Sequence, residues 1–238
     1  MSNTYSYYRK DPIYVLIVIL VIALFFRLHC ITNIAYWFDE SFCLKMAEFS
    51  FAEIWRRTTQ DTHPPLYFYL LKSWGMLFGT SVIASRMLSV SSGLLTVIGT
   101  YLFVYEAYRV DNNRTSKENS TAVLSALVAA LFVALSPLQV SWSLQVRMYA
   151  PGAALTAISS WLLIKALRNE SHAAWNWSFF TVSAIALAYT HHFGLFILLA
   201  QYIFAFGYRW LQTPVDVNRS RFRRVQPVLL SALVLALA

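Results

Sequence analysis

The sequence predicts an all-α, polytopic membrane protein with about six complete transmembrane helices and an incomplete seventh. Three observations predict it. Of the 238 residues, 58% are apolar and only 13% are charged, against about 45–50% and about 25% in soluble domains. Apolar runs recur near the length of about 20 residues that a spanning helix needs. Lys and Arg are spread unevenly between the connections, as the positive-inside rule expects of short cytoplasmic loops. The mean hydropathy of +0.52 agrees. Together these exclude a disordered chain, a nucleic-acid-binding arm and a compact cytosolic enzyme. Two cysteines, Cys30 and Cys43, are too few for a disulfide framework or a cysteine-rich metal site.

The first element is Ile13–Ile31, preceded by Arg9 and Lys10. Its core from Ile13 to Phe26 is apolar throughout, Arg27 and His29 follow, and no small-residue cleavage site appears, so it reads as an uncleaved anchor. Residues 32–86 form a long loop. Within it Leu66–Phe78 is apolar apart from Lys72. At about 1.5 Å per residue it reaches only about 20 Å, short of the hydrocarbon core of about 30 Å, so a re-entrant or interfacial helix is expected. Later spans are Met87–Tyr108, Thr121–Val140, Ala150–Leu167, Trp175–Tyr189 and Phe193–Leu211. The last apolar run, Val228–Ala238, is too short to cross. The expected organisation is one transmembrane domain over 1–238, apparently truncated: anchor 13–31, extracytoplasmic loop 32–86, remaining helices 87–238.

Charge placement sets the topology. With the N-terminus cytoplasmic and Leu66–Phe78 not spanning, Arg9, Lys10, Arg109, Arg114, Lys117, Lys165, Arg168, Arg209, Arg219, Arg221, Arg223 and Arg224 face the cytoplasm. The short outer loop then holds only Arg147. A spanning Leu66–Phe78 would invert nearly all of these, against the rule. The sequons at Asn113, Asn119, Asn169, Asn176 and Asn218 then lie on the cytoplasmic side, away from glycosylation. The outer loop carries Asp39, Glu40, Glu48, Glu53 and Asp61, five of the eleven acids. Chemistry is expected there.

Four groups of residues stand out. Trp37-Phe38-Asp39-Glu40 sets two carboxylates beside an interfacial tryptophan, suited to a general base or a cation ligand as well as to plain solvated acids. Asp61-Thr62-His63-Pro64-Pro65 leads into Leu66–Phe78, with Thr62 or Asp61 as N-cap and His63 beside a helix start that attracts anions. Arg86 and Arg147 sit on the outer side, where the positive-inside rule disfavours them; a lipid-borne phosphate or the loop acids would explain them. Arg27, inside the anchor, must find an anion or snorkel outward. Thr190-His191-His192-Phe193-Gly194 is a tight outer turn whose histidines point apart and suit helix capping better than metal binding. Lys72 is expected to snorkel and Glu106 to reach the cytoplasmic interface.

In order, the chain carries Asp39-Glu40, Asp61-Thr62-His63-Pro64-Pro65-Leu66-Tyr67, Ser85-Arg86-Met87-Leu88-Ser89, Ser136-Pro137, Gln145-Val146-Arg147-Met148-Tyr149 and Tyr189-Thr190-His191-His192-Phe193-Gly194. This string resembles the bacterial glycosyltransferase family 39 membrane proteins of the GT-C fold, relatives of the protein O-mannosyltransferases and lipid A aminoarabinose transferases. The resemblance spans about residues 13–211. It implies a polyprenyl-phosphate sugar donor used on the extracytoplasmic face, with inversion, and a lipid, glycan or protein acceptor. It implies Asp39 as catalytic base with Glu40 as its support, and His63, Arg86 and Arg147 at the donor phosphate. Asp61, Tyr149, His191 and His192 are additional candidates. It also implies interfacial helices in the first outer loop and a bacterial inner-membrane location.

No cofactor is implied; Asp39, Glu40 and Asp61 could serve a divalent cation, but acids without geometry establish no metal. Nucleic acid is not an expected partner. Two other readings are a truncated remnant or non-catalytic subunit, and, less favoured, a transporter of lipid-linked substrate. A transporter would place ionisable residues at the bilayer midplane and show an internal repeat, and neither is visible.

Overall fold

A computed structural model describes residues 11–29, 31–32, 35–61, 63–109, 116–168, 172–211 and 218–238, with side chains throughout except at 11, 116–118 and 218–224. Among the described residues the fold is eleven helices without a strand. These are α1 (Asp11–Leu28), α2 (Phe38–Glu48), α3 (Phe51–Thr58), α4 (Leu66–Phe78), α5 (Val82–Tyr108), α6 (Ser116–Leu135), α7 (Pro137–Ser143), α8 (Tyr149–Arg168), α9 (Ala173–Thr190), α10 (Gly194–Leu211) and α11 (Asn218–Leu237). Three helices, α5, α8 and α10, are long and apolar enough to cross a membrane, and α6 with α7 would make a fourth if the bent pair is one span. Pro12–Leu28 and Val225–Leu237 are shorter apolar helices.

α5 is the spine, packing most extensively on α8 and α6. Small buried residues let it approach its neighbours: Ser85, Ser89, Ser92, Gly93, Thr96 and Gly99. A Cβ on Gly99 would lie 2.9 Å from the Ala157 Cβ of α8. This is how helices associate in lipid, where apolar contact alone gives no preference for a partner. A separate cluster gathers beside α2 to α4, where Cys43, Met46, Ile54, Tyr67, Phe68 and Leu71 pack with Val146 and Met148.

Three expectations about boundaries need correction. Thr121–Val140 is not one continuous helix: α6 stops at Leu135 and α7 leaves at a 60° bend. Pro137 has no N–H to continue α6, and the Ser136 hydroxyl accepts from the Gln139 N–H to start a new helix. α5 begins at Val82, capped by the Ser81 hydroxyl, so Arg86 lies inside the helix rather than at its opening. The N-cap of α4 is Pro65, with no side-chain cap, so Asp61 does not cap it; Thr62 lies outside the described residues. α4 itself runs Leu66–Phe78 as expected, stopped by Gly79 in the left-handed region at φ 84°.

Several arginines close the ends of neighbouring helices. Arg168 donates to the Glu106 and Arg109 carbonyls at the end of α5. Arg209 donates to the Ala166 carbonyl of α8, and Arg27 to Ala134 of α6. Each places a cation where the helix dipole is negative and carbonyls lack partners. Glu106 pairs with Arg109 at 2.8 Å.

Candidate functional site

The first turn of α2 separates the two acids. Adjacent helical residues point about 100° apart, so Glu40 turns inward, 1% exposed, while Asp39 stays at the margin with its side chain 34% exposed. Four donors converge on Glu40: the Trp37 N–H at 3.4 Å, Arg86 Nε at 3.3 Å, Arg86 Nη2 at 3.2 Å and the Val146 N–H at 2.9 Å. Arg86 is itself buried, donates from Nη1 to the Ile31 carbonyl at 2.6 Å, and lies 5.1 Å over the Tyr36 ring. A buried carboxylate and guanidinium satisfied to this degree form a fixed joint between α2, α5 and the 144–148 segment.

Asp39 faces Arg147, with Oδ2 3.4 Å from Nη2. Arg147 also donates to the Tyr149 hydroxyl at 3.4 Å and the Cys43 sulfur at 3.7 Å, while its buried Nε has no partner among the described residues. Burial opposes its charge, yet the Tyr149 hydroxyl and the Cys43 thiol beside it hold the guanidinium above its ordinary value. Burial pushes the Cys43 thiol up to about 11.

The turn between α9 and α10 meets this pair. His191 is the C-cap of α9, its ring 5.6 Å from that of Tyr149, and its Nδ1 accepts the Phe193 N–H at 3.1 Å. Burial first, then nearby His192, His63 and Arg147, lower its proton affinity. His63 lies 3.3 Å from Asp61 Oδ2, with its ring against Phe42 and Phe68. Asp39, Arg147, Tyr149 and His191 are thus drawn together by direct contacts, and His63 and His192 are near enough to act electrostatically. Arg86 stands apart from them, on the Glu40 side.

Two cavities flank α7. One, of about 720 Å³, is bordered by Glu40, Arg86, Ser141 and Gln145 at one end and by Phe26, Leu135 and Val140 elsewhere. The other, of about 670 Å³, runs from Tyr149, His191 and Phe193 past Gln139 and Thr156 to Phe103. Among the described residues, no three His, Cys, Asp or Glu side chains are grouped to hold a metal ion.

Sequence reasoning gave no role to Tyr36, Cys43, Tyr67, Ser89 or the Val146 N–H. Their partners are distant in the chain, as with Ser89, whose hydroxyl donates to the Gln145 carbonyl at 2.6 Å. Lys72 donates to the Ala47 carbonyl. Arg27 neither snorkels nor meets an anion; it is fully buried against carbonyls and Ser143, because α6 and α7 close over it.

Residues 48–215 match a family model described as "Protein O-mannosyl-transferase TMEM260 N-terminal domain". The match covers well over half of the chain. The chain belongs to this family. No curated protein and no solved structure matches it. The matched region includes His63, Arg86, Arg147, Tyr149 and both turn histidines and begins downstream of Asp39 and Glu40. Membership of a family so described, with three or four helices fit to span, supports a membrane glycosyltransferase.

Proposed function

We propose that the chain is a GT-C-like membrane glycosyltransferase that moves a sugar, mannose by the family's description, from a polyprenyl-phosphate donor to an acceptor hydroxyl. The reaction runs on the extracytoplasmic face, with inversion. α1, the bent α6–α7 pair, α8, α9 and α10 span with α5, α11 is the incomplete seventh span, and the N-terminus is cytoplasmic. The observation that carries this reading is the Asp39–Arg147 pair, joined through Tyr149 to His191, where Tyr149 and His191 line an apolar groove of about 670 Å³.

The groove takes the polyprenyl chain and leaves the phosphate near Arg147, His63 and His191. Asp39, the more exposed and less committed of the two acids, accepts the proton of the acceptor hydroxyl as its oxygen attacks the anomeric carbon. The bond from that carbon to the phosphate oxygen breaks, and its electron pair leaves with the phosphate. Arg147 and His63 stabilise the charge that grows there, the usual source of most catalytic gain. His191, whose Nδ1 accepts the Phe193 N–H, keeps Nε2 as a donor. Glu40 and Arg86 set the height of α2, and Arg86 meets a phosphate only through the cavity it borders.

The test is incubation of the purified protein with a panel of polyprenyl-phosphate sugars, following release of polyprenyl phosphate. Release from the mannose-bearing donor is expected. No release from any donor would sink the reading.

A further inference from the structure

We infer that Arg27 is a positioning residue, holding the α6–α7 break and through it placing the Val146 N–H and Arg147; the inference rests on the function proposed above. A charged side chain in an apolar helix is costly and is retained for a reason. Arg27, in the last turn of α1, is 0% exposed. Its Nη1 donates to the carbonyls of Ala23 at 2.9 Å and Ala134 at 3.1 Å. Ala134 is in the last turn of α6, where the 60° bend frees carbonyls that no following N–H can reach. Its Nε donates to Ser143 Oγ at 3.1 Å, at the far end of α7. One guanidinium therefore bridges the end of α6 and the end of α7, fixing the angle between them.

Gly93 of α5 completes the arrangement. A Cβ there would lie 2.2 Å from Ser143 Oγ and 2.8 Å from Arg27 Nε. α5 leaves room for this bond and for nothing larger. Ser143 in turn donates to the Gln139 carbonyl, tying the hydroxyl to α7 itself.

The consequence lies three and four residues downstream. Val146 gives its N–H to Glu40, and Arg147 meets Asp39, Tyr149 and Cys43. Ser89 holds the Gln145 carbonyl just upstream of them. Leu144–Met148 is irregular backbone, so its position comes from its anchors: Ser143 upstream, and Glu40 and Ser89 within. Releasing the upstream anchor shifts Arg147 relative to Asp39 without touching either.

Arg27→Met separates positioning from stability. It relieves a buried charge but leaves the Ala134 carbonyl without this donor, and an unmet buried acceptor is destabilising, so the thermal midpoint should fall modestly in a protein that still folds. The kcat for sugar transfer from polyprenyl-phosphate mannose should nevertheless fall about 10²-fold, with donor KM little changed, because a misplacement near 1 Å has that effect. Arg27→Lys should recover part of the loss through one carbonyl. Ser143→Ala, which keeps Arg27 and cuts only its link to α7, should lower kcat about tenfold.

A second readout needs no turnover. In a Cys30→Ser background, the rate of maleimide modification of Cys43 should differ several-fold from wild type in Arg27→Met, as Arg147 shifts relative to the thiol it contacts at 3.7 Å. Arg27→Met with wild-type kcat and wild-type Cys43 modification overturns the inference. So does an Arg27→Met that unfolds beside a Ser143→Ala indistinguishable from wild type. If the wild-type protein transfers no sugar, the functional reading falls, and Cys43 modification alone decides whether Arg27 positions the segment.

Discussion

Asp39 and Glu40 are neighbours with opposite fates, and the difference is their number of partners. Glu40 is locked by four donors, whereas Asp39 has one charged partner and a third of its side chain exposed. Arg86→Met should therefore lower stability by about 3–5 kcal/mol, since it strands a buried carboxylate. Adding Glu40→Gln should recover much of that loss, and thermal unfolding of the single and double variants measures it. His191 makes a second prediction. Its folded value lies below the ordinary 6.5, through burial and through His192, His63 and Arg147. The unfolded state binds more protons in the window between the two values, so stability falls as pH drops through that window. His191→Gln should flatten the fall in unfolding midpoint between about pH 7 and about pH 5.

At the level of elements, short segments with hard stops were legible in sequence and bends were not. α4 lies between Pro65 and Gly79, and its ends follow from the missing N–H of one and the positive φ of the other. The α6–α7 bend hides inside an apolar run, because hydropathy registers neither the missing N–H of Pro137 nor the serine that restarts the helix. α3 shows what charge adds to a short helix. Ser50 caps it, and Glu53 holds Arg56 at 2.7 Å and Arg57 at 2.8 Å, which brings its carboxyl down to about 2 through the Arg56 hydrogen bond first. Because the folded value is depressed from 4.5, that support is present above 4.5 and lost as pH falls through about 2. Glu53→Gln should raise the protease sensitivity of residues 51–58 at neutral pH, and this difference from wild type should close only toward the acid end.

Across the whole molecule, composition was enough to establish a helical membrane protein, and the order of motifs pointed to a glycosyltransferase family. What it could not supply was the pairing of distant groups. Arg27 meets Ser143 across 116 positions and Arg86 meets Glu40 across 46, and nothing in local pattern couples them. The positive-inside distribution predicts topology directly. A cysteine at Lys45 should react with an impermeant maleimide from the extracytoplasmic side, and one at Lys165 only after permeabilisation. Equal labelling of both in intact cells would contradict the orientation.

The central claim is that Asp39 accepts the acceptor's proton in sugar transfer. Asp39→Asn keeps the size of the side chain and its contact with Arg147 while removing the base. Transfer from polyprenyl-phosphate mannose should fall about 10²–10⁴-fold relative to wild type, the range general-base catalysis contributes. Transfer at a near wild-type rate by a folded Asp39→Asn protein would contradict the account.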